Sequence, residues 1–258
     1  MTQTQATTDK TASIPSSIDP EEVEQFSRIA EEWWDPTGKF KPLHEINPVR
    51  IAYIKQQICA HFERDEDAIK ALDGLSLVDI GCGGGLICEP MARMGASVTG
   101  VDASEKNIKT ASLHAAQGGL DIAYQANTAE ALASENQQFD VVLALEIIEH
   151  VADPDSFVAS CAELVKPGGL LVMSTINRTL KSLAMAKIGA EYVLRLLPRG
   201  THDWRKFVKP SEMAASARGA GLEHVHTTGM VINPIRWEWH IKDNDVDVNY
   251  LMVTRKPA

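Results

Sequence analysis

Short apolar runs alternate with amphipathic segments through the middle of this chain. Runs rich in Val, Ile and Leu predict strands at 76–80, 97–102, 121–126, 139–145 and 169–176. The segments between them have helical apolar spacing, which predicts helices at about 86–94, 105–117 and 154–165. This alternation is typical of a parallel, doubly wound α/β sheet. Two later strands, 222–230 and 247–255, lie close to the end of the chain and predict a closing antiparallel hairpin.

Two helices are predicted before the sheet. Asp19 is expected to cap the first, with Pro20 in its first position and apolar residues at helical spacing at Val23, Phe26, Ile29 and Trp33. The Trp-Asp-Pro segment that follows is expected to end this helix. Asn47 and Pro48 are expected to cap a second helix, which places Arg50 near its N-terminus.

The length and composition predict one globular domain with a polar N-terminal tail. The 258 residues are 44% apolar, which is enough for a full core, and they contain no run of about 18 apolar residues. Residues 1–18 lack the features of a secretory signal or a transit peptide and are predicted to be a disordered tail. Residues 19–258 are predicted to form the domain. The net charge of −10 argues against general binding of nucleic acid.

The cysteines give no sign of disulfides or zinc. The sequence has four of them, and no two are spaced as C-x-x-C. They therefore indicate a reducing compartment. Cys82 lies within a glycine-rich loop, where a role as a small packing residue is favoured over catalysis.

Residues 177–209 interrupt the alternation of strands and helices. The segment is helix-prone and apolar, and from Arg178 to Lys209 it carries eight Lys or Arg and two Asp or Glu in an otherwise acidic chain. A basic, apolar helix favours contact with an anionic membrane surface. A helix of a substrate lid that is buried against the sheet explains the pattern equally well, and one element can do both.

A glycine-rich loop follows the first strand of the sheet. Asp79, Gly81, Gly83 and Gly85 form a D-x-G-x-G-x-G pattern, and Leu86 stands where the dinucleotide fingerprint has its third glycine. We expect free N–H groups of this loop to point at an anionic ligand. The pattern resembles the first motif of class I S-adenosylmethionine-dependent methyltransferases. The alternatives are a nucleotide-binding oxidoreductase and a structural glycine turn without a ligand.

An acidic residue ends the second strand. Asp102 lies about 20 residues beyond the glycine loop, where such folds present a carboxylate to ribose hydroxyls. The alternative is that Asp102 only caps the helix that follows.

Two carboxylates and an imidazole follow the fourth strand. Glu146, Glu149 and His150 lie at its carboxyl end, the edge at which open α/β sheets bind ligands. In a helical turn Glu146 and Glu149 share a face, and such an oxygen-rich pair suits Mg²⁺, with a histidine as a third ligand. The alternative is that these residues order the loop or act as a base without metal.

Motifs along most of the chain resemble the ubiquinone biosynthesis O-methyltransferase family. The resemblance runs from about residue 19 to 255, and its later motifs are more specific than the glycine loop. It is carried by the segments 32–36, 40–50, 79–85, 146–150, 165–169, 174–178, 189–192, 198–203 and 246–250.

The resemblance implies a fold and a set of site residues. The fold is a Rossmann-like class I methyltransferase with a mostly parallel, seven-stranded, doubly wound sheet, an antiparallel last strand, an N-terminal helical lid and a helical insertion. S-adenosylmethionine is the implied co-substrate, with contacts at Arg50, Gly81, Asp102 and Leu145. The family also implies Mg²⁺ and a catalytic role at Glu146, Glu149 and His150.

The implied reaction is methylation of a hydroxyl of a polyprenylated catechol or 3-demethylubiquinol. His150 is the nearest base by sequence. If His150 binds the metal instead, solvent or a lid residue such as His202 is expected to accept the proton. The N-terminal helix with Trp33 and Trp34, together with the insertion, is expected to close over a lipidic substrate. Further tryptophans are expected to line that side, at Trp204, Trp237 and Trp239.

The implied setting is the bacterial cytoplasm, at the surface of the inner membrane. The expected partners are the prenylated substrate, anionic lipid through residues 177–209, and other enzymes of ubiquinone synthesis. Three alternatives remain at this point. They are an O-methyltransferase with a soluble acceptor, a nicotinamide oxidoreductase, and a lipid-binding protein without catalysis.

Overall fold

The fold is taken from a computed structural model. It describes residues 17, 19–27, 29–184, 204–233, 235–236 and 238–258. The predictions for the N-terminal tail, for most of the 177–209 insertion, for His202 and for Trp237 lie outside the described residues.

One mixed sheet forms the centre of the molecule. In the described part of the chain it has eight strands, in the order β3-β2-β1-β4-β5-β8-β6-β7. Strands β1 to β5 are parallel, β8 pairs antiparallel with both β5 and β6, and β7 pairs antiparallel with β6. The strands are β1 (Ser76–Ile80), β2 (Ser97–Asp102), β3 (Ala123–Ala126), β4 (Phe139–Leu145), β5 (Val165–Ile176), β6 (Glu223–Asn233), β7 (Glu238–Lys242) and β8 (Asn249–Arg255).

The doubly wound architecture and the antiparallel closure are confirmed. The predicted count of seven strands was one too low, because β7 was not predicted. This edge strand has five residues with charged residues at both ends, and its residues alternate between exposed and half-buried. Such a strand buries too little apolar surface to produce a strong signal.

Helices cover both faces of the sheet. They are α1 (Pro20–Ser27), α2 (Lys41–His61), α3 (Cys88–Arg93), α4 (Glu105–Gln117), α5 (Ala129–Ser134), α6 (Pro154–Leu164) and α7 (Pro210–Gly219). Short 3₁₀ turns occur at Ala30–Glu32, Ile148–His150 and Trp204–Lys206. Residues 180–184, at the start of the insertion, are helical as well. A bilayer-crossing helix is absent from the part of the chain that the structure describes.

Alternating strand residues pack into two core layers. On one face, Leu77, Leu143 and Val172 pack with Ile54 and Ile58 of α2. On the other face, the neighbouring strand residues pack with α5, α6 and α7, in a group that includes Val78, Val142, Leu171, Leu132, Phe157 and Met213. Because successive side chains of a strand point to opposite faces, each central strand stabilises both layers.

The first helix begins where predicted and ends earlier. Asp19 Oδ1 accepts a hydrogen bond from the Glu21 N–H at 3.1 Å, which is the expected cap. The helix stops at Ser27, and a separate 3₁₀ turn carries Ile29 and Trp33 into a small core cluster with Phe40. Ile29 and Trp33 are buried and Val23 is half-buried, so the apolar residues of the one predicted helix are divided between two elements.

The second helix begins earlier than predicted. α2 starts at Lys41, so Asn47 and Pro48 lie inside it, and the prediction that they form its cap was wrong. The Asn47 side chain accepts a hydrogen bond from Arg50 Nη1 at 3.2 Å instead. An internal proline costs one helical hydrogen bond. Burial of the apolar side of α2, including Ile54 and Ile58, offsets that cost.

Candidate active site

The sequence-predicted site residues surround one cavity. The cavity has a volume of about 400 Å³ and lies at the carboxyl ends of β1, β2 and β4. The N-terminal segment forms one of its walls, with Asp19, Val23 and Trp33 among the lining residues. All seven residues predicted for the cofactor and the metal line it, namely Arg50, Gly81, Asp102, Leu145, Glu146, Glu149 and His150.

The glycine loop requires glycine for two reasons. Gly81 and Gly83 have φ values of +75° and +53°, which side chains rarely adopt. A Cβ at Gly81 would overlap the Ile147 side chain, and one at Gly83 would overlap the Trp33 ring. The backbone at these two positions is therefore in such close contact with Ile147 and Trp33 that no side chain fits there.

The expectation of free loop amides was wrong for all three glycines of the pattern. The Gly85 N–H donates within the loop, to the Cys82 carbonyl at 2.9 Å. The Gly81 N–H donates to the Val101 carbonyl at 2.7 Å, and the Gly83 N–H donates to Asp102 Oδ2 at 2.9 Å. Closure of the loop onto β2 satisfies these donors within the protein. A ligand at Gly81 would therefore make van der Waals contact with the loop backbone, because the Gly81 N–H is already hydrogen-bonded.

Asp102 is held at the end of β2 and is not the helix cap. Its Oδ1 accepts from the Ser104 N–H at 2.8 Å and from Asn107 Nδ2 at 3.1 Å. The cap of α4 is Ser104, whose hydroxyl accepts from the Asn107 N–H. Burial raises the pKa of the Asp102 carboxyl. The carboxylate is thus fixed in orientation beside the cavity, as a ribose-binding residue must be.

Two neighbouring tryptophans fasten the N-terminal segment to the glycine loop. Trp33 Nε1 donates to Asn107 Oδ1 at 3.0 Å, and Trp34 Nε1 donates to the Gly84 carbonyl at 2.9 Å. Trp34 also stacks on the His114 ring, with centroids 3.5 Å apart and planes 5° from parallel. The two tryptophans therefore pack on the glycine loop and on Asn107, which also bonds to Asp102. The sequence suggested only that they belong to a lid over the substrate.

A buried carboxylate supports this arrangement and was missed in the sequence. Glu89 is fully buried, and it contacts His114 Nδ1 at 2.5 Å and Arg93 at 2.8 Å. The i, i+4 spacing of Glu89 and Arg93 was the only signal available.

Buried Arg50 and partly exposed Glu146 form an ion pair at the cavity. Arg50 is 3% exposed, and its Nη2 lies 2.9 Å from Glu146 Oε1. The same oxygen accepts a hydrogen bond from the Ser174 hydroxyl at 2.7 Å. Glu146 has a φ of +53°, a strained value for a residue with a side chain. Arg50 Nε is buried and has no hydrogen-bond partner among the described residues, so within this part of the chain the guanidinium retains an unused donor.

Glu149 lies beside this pair. It is 4% exposed, and its Oε2 accepts a hydrogen bond from the Thr175 hydroxyl at 2.7 Å. Burial, followed by the negative charge of Glu146, raises the pKa of Glu149 to about 7, while His150 acts in the opposite direction. The sequence pointed to Ser174 and Thr175 only as part of a family motif. In the structure, the Ser174 hydroxyl donates to Glu146 and the Thr175 hydroxyl donates to Glu149.

The predicted metal ligands do not form a metal site in this conformation. Among the described residues, no group of three or more His, Cys, Asp or Glu side chains is placed to hold a metal ion. Glu146 is bonded to Arg50 and Ser174, and Glu149 to Thr175. Glu146, Glu149 and His150 line one cavity, but their side chains are not arranged as the ligands of a metal ion.

The remaining polar groups near the loop are buried. Asp79 is 3% exposed, and burial raises its pKa to about 7. Its Oδ2 accepts a weak hydrogen bond from Cys88 Sγ at 3.4 Å. All four cysteines are free and buried. Burial raises the pKa of the Cys82 thiol to about 11, in agreement with a packing role.

The other tryptophans occupy different places. Trp239 lines the cavity, and its buried indole N–H has no hydrogen-bond partner in the part of the chain that the structure describes. Trp204 lies at the end of the insertion, where Nε1 donates to the Thr179 carbonyl at 2.9 Å. Two of the tryptophans expected beside the substrate can therefore be located. Trp239 lies at the cavity, and Trp204 lies beside Thr179.

Comparison with known proteins identifies the family. The family model described as "Methyltransferase domain" matches residues 78–173. A ubiquinone biosynthesis O-methyltransferase from Brucella anthropi is 56% identical over 96% of this chain and 100% of its own length. A protein of the same name from Cereibacter sphaeroides is 54% identical over 95% of this chain and 99% of its own.

Solved structures of methyltransferases share the fold. Magnesium protoporphyrin IX methyltransferase from Synechocystis PCC 6803 with bound SAH matches with a TM-score of 0.61 at 20% identity, over 90% of this chain and 93% of that chain. A possible histamine N-methyltransferase from Thermotoga maritima gives a TM-score of 0.63 at 18% identity, over 90% and 99%. Since the relatives named for ubiquinone synthesis match at more than half identity along nearly their whole length, this chain belongs to the ubiquinone biosynthesis O-methyltransferase family.

Proposed function

We propose that this chain transfers the methyl group of S-adenosylmethionine to a hydroxyl of a polyprenylated catechol or 3-demethylubiquinol. One observation carries the proposal. In a chain of this family, residues that are far apart in sequence line a single cavity at the edge of the sheet where such folds bind nucleosides. They are Arg50, Gly81, Asp102 and Leu145.

We propose a role for each of these residues in holding the co-substrate. Asp102, whose carboxylate is fixed by Ser104 and Asn107, would accept hydrogen bonds from the two ribose hydroxyls. Arg50 has an unused donor and is suited to the methionyl carboxylate. Leu145 offers apolar contact to the methionyl chain. Residues 127–130 also line the cavity, on the side of β3 where adenine is expected.

The chemical step is an in-line displacement at the sulfonium. A ring oxygen of the acceptor attacks the methyl carbon, the carbon–sulfur bond breaks, and its electron pair stays on sulfur. The products are the methyl ether, S-adenosylhomocysteine and one proton. Ionising a phenol with a pKa near 10 at pH 7 costs roughly 4 kcal/mol. The protein must therefore both position the oxygen and provide for its proton.

Groups that hold or accept a proton lie at the cavity. We propose that His150 or Glu149 receives the proton of the acceptor hydroxyl, since both line the cavity beside Leu145. The Glu149 carboxyl, whose pKa is raised to about 7 by burial, matches the range in which a general base is effective. His202 lies outside the described residues and stays a prediction from the sequence.

Magnesium dependence is a separate part of the proposal. A divalent ion at Glu146, Glu149 and His150 would lower the cost of ionising the phenol and orient its oxygens. The proton would then go to solvent, because Glu149 and His150 would be occupied as ligands. The support is the family resemblance and the two carboxylates that face one cavity. Because these side chains hold other partners in the described conformation, they would have to rearrange before they could bind the ion.

The prenylated acceptor requires access to a membrane, and we propose that residues 177–209 provide it. Leu180, at the start of this segment, is 79% exposed. Some basic residues of the segment are engaged within the protein, since Lys181 pairs with Asp245 and Asp247, and Lys206 pairs with Asp19. The proposed attraction to anionic lipid therefore falls mainly on the basic residues between 187 and 199.

A binding assay followed by an activity assay tests the proposal. S-adenosylhomocysteine is expected to bind the full-length chain in calorimetry and to raise its melting temperature, whereas NADH is expected to do neither. The purified chain is then expected to methylate a polyprenylated catechol much faster than the same ring without a prenyl tail. Equal rates with both acceptors would favour a soluble substrate. Failure to bind S-adenosylhomocysteine would rule out the methyltransferase reading.

A further inference from the structure

The hairpin of β6 and β7 extends past the edge of the sheet that holds the cavity. β8 begins at Asn249, which pairs with Ile176 at the end of β5 and with Met230 of β6. Residues 231–233 of β6 continue beyond this point and, among the described strands, pair with β7 alone. At about 3.4 Å per residue, this extension projects roughly 10 Å past the start of β8.

The base of this hairpin is part of the cavity wall. Trp239 of β7 pairs with Ile232 of the extension, and Trp239 lines the cavity. Trp239 and Ile241 also pack on the core layer that contains α2. The hairpin is therefore fixed beside the cavity, and its turn lies farther out from the sheet than the cavity wall.

The turn of the hairpin presents an aliphatic side chain to solvent. Ile235 is 93% exposed, and the neighbouring Arg236 is exposed as well. The N–H groups of Ile235 and Arg236 both donate to Asn233 Oδ1, at 3.0 and 3.2 Å. Because these two donors are satisfied inside the turn, moving the turn out of bulk water costs less than it would for bare amides.

A second exposed aliphatic side chain lies at the same edge of the sheet. Leu180, which follows the carboxyl end of β5, is 79% exposed, and the basic segment 177–209 starts there. The Thr179 hydroxyl donates to the Asp247 carbonyl at 2.6 Å, so the start of this segment is held on the loop between β7 and β8. A single exposed apolar residue is ordinary on a protein surface. Two of them beside a basic segment have the composition of a surface that binds the bilayer interface.

We propose that the turn between β6 and β7 inserts Ile235 into the boundary between the headgroups and acyl chains of a phospholipid bilayer. The cavity edge of the sheet then faces the membrane that holds the prenylated acceptor. The inference rests on the proposed function, because it takes a membrane-held acceptor as the reason for the contact. It adds an apolar contact to the proposed attraction of residues 177–209 for anionic lipid. Salt screens that attraction but does not screen the burial of an aliphatic side chain.

A pair of matched isoleucines tests the contact. Ile69 is 91% exposed but lies between α2 and the start of β1, at the opposite edge of the sheet. In co-sedimentation of the full-length chain with vesicles of phosphatidylglycerol and phosphatidylcholine, Ile235→Ser is expected to lower the partition coefficient about fivefold to tenfold. The factor should be the same at low and at high salt. Ile69→Ser should stay within about twofold of the wild type.

A fluorescent label locates the contact directly. All four native cysteines are buried, so a thiol reagent is expected to label only the cysteine of Ile235→Cys or of Ile69→Cys. A nitrobenzoxadiazole group at position 235 is expected to gain intensity and shift to shorter wavelength when vesicles are added. Spin-labelled lipid should then quench it. The same group at position 69 should show neither change.

The outcomes separate this inference from the proposed function. Equal losses in the two serine variants, a loss for Ile235→Ser that disappears at high salt, or an unchanged label at position 235 would overturn the hairpin contact. So would a wild type that does not bind vesicles. None of these measurements contains co-substrate or acceptor. Failure of the wild type to methylate a polyprenylated catechol would therefore overturn the proposed function while the hairpin contact is judged on its own results.

Discussion

At the scale of single residues, Gly83 combines a backbone requirement with a packing requirement. Its φ is +53°, and an added Cβ would overlap the Trp33 ring. Gly83→Ala is expected to weaken S-adenosylhomocysteine binding by about tenfold or more, because the loop or the Trp33 ring must shift, and strain of about 1 kcal/mol or more is added. Isothermal titration calorimetry measures this effect.

Gly119→Ala is the matched control for this prediction. Gly119 also has a positive φ, at +65°, but nothing lies within 4 Å of an added Cβ. The control therefore adds backbone strain without crowding, and it should lower the melting temperature while leaving ligand affinity within about twofold of the wild type. Equal losses of affinity in both variants would mean that crowding at Trp33 does not matter.

Asp79 makes the stability of the fold depend on pH. Burial raises its pKa from 3.8 to about 7, so between these values the folded protein holds a proton that the unfolded chain has released. Stability from this group is therefore lost as pH rises toward 7. Relative to wild type, Asp79→Asn is expected to gain stability between pH 5 and pH 8, on the order of 2 kcal/mol.

Thermal unfolding at several pH values checks this prediction. A gain of about 2 kcal/mol corresponds to several degrees in the melting temperature of a chain of this size. Asp121→Asn, at an exposed aspartate, is the control and should show no such trend. If the Asp79→Asn difference stays constant from pH 5 to pH 8, the raised pKa is wrong.

The sequence could predict that the candidate site residues meet at one cavity, but it could not predict their hydrogen-bond partners. Asp102 ends one recognisable strand and Glu146 follows another, so their arrival at one edge of the sheet follows from the parallel topology. The Arg50–Glu146 pair joins residues 96 positions apart, and no local pattern encodes it. The commitment of the Gly83 N–H to Asp102 was also missed, because it depends on how the loop closes onto β2.

At the scale of elements, the segment between α1 and α2 holds the glycine loop by its tryptophans. Trp34→Phe would remove the N–H that bonds to the Gly84 carbonyl and leave an aromatic ring to stack on His114. S-adenosylhomocysteine affinity is expected to fall about threefold to tenfold, in line with the loss of one hydrogen bond of about 1 kcal/mol. Calorimetry provides the measurement.

Trp204→Phe is the comparison for the tryptophan prediction. The Trp204 N–H also bonds to a backbone carbonyl at 2.9 Å, but that carbonyl belongs to Thr179 rather than to the loop. The same chemical change there should leave ligand affinity within about twofold of the wild type. A wild-type affinity in Trp34→Phe would show that the loop does not need this bond.

Element boundaries were predictable where local chemistry sets them. β1, β2 and β4 match their predicted bounds, because each is an apolar run that the sheet buries. The start of α2 was misjudged because Pro48 is a strong local signal for a helix N-terminus. Packing of the apolar side of α2 on the sheet overrode that signal, and such packing is not visible in a local window.

At the scale of the whole molecule, the charge distribution opposes general binding to anionic surfaces. The chain carries −10, and the insertion is a positive segment within it. If residues 177–209 contact anionic lipid, the contact must come from the position of these cations rather than from the total charge. The experiment must therefore compare variants that have the same net charge but carry their charge reversals at different positions in the chain.

Two triple variants with the same net charge make this comparison. One reverses cations of the insertion that lie outside the described residues, by Lys187→Glu, Arg195→Glu and Arg199→Glu. The other reverses exposed lysines elsewhere, by Lys70→Glu, Lys106→Glu and Lys109→Glu. Each basic residue near an anionic surface contributes about 1 kcal/mol. The first variant is therefore expected to lose at least about 100-fold in affinity for vesicles that contain anionic lipid, whereas the second loses far less.

Co-sedimentation with vesicles of phosphatidylglycerol and phosphatidylcholine gives the partition coefficients. Binding of the wild type should weaken as salt is raised, because the Debye length shortens to about 8 Å at physiological ionic strength. If the two triple variants lose the same affinity, only the net charge matters and the insertion is not the contact. If the wild type shows no preference for anionic vesicles, the proposal of a basic membrane contact fails. In that case the insertion is better explained as a lid over the cavity, which the sequence pattern supports equally well.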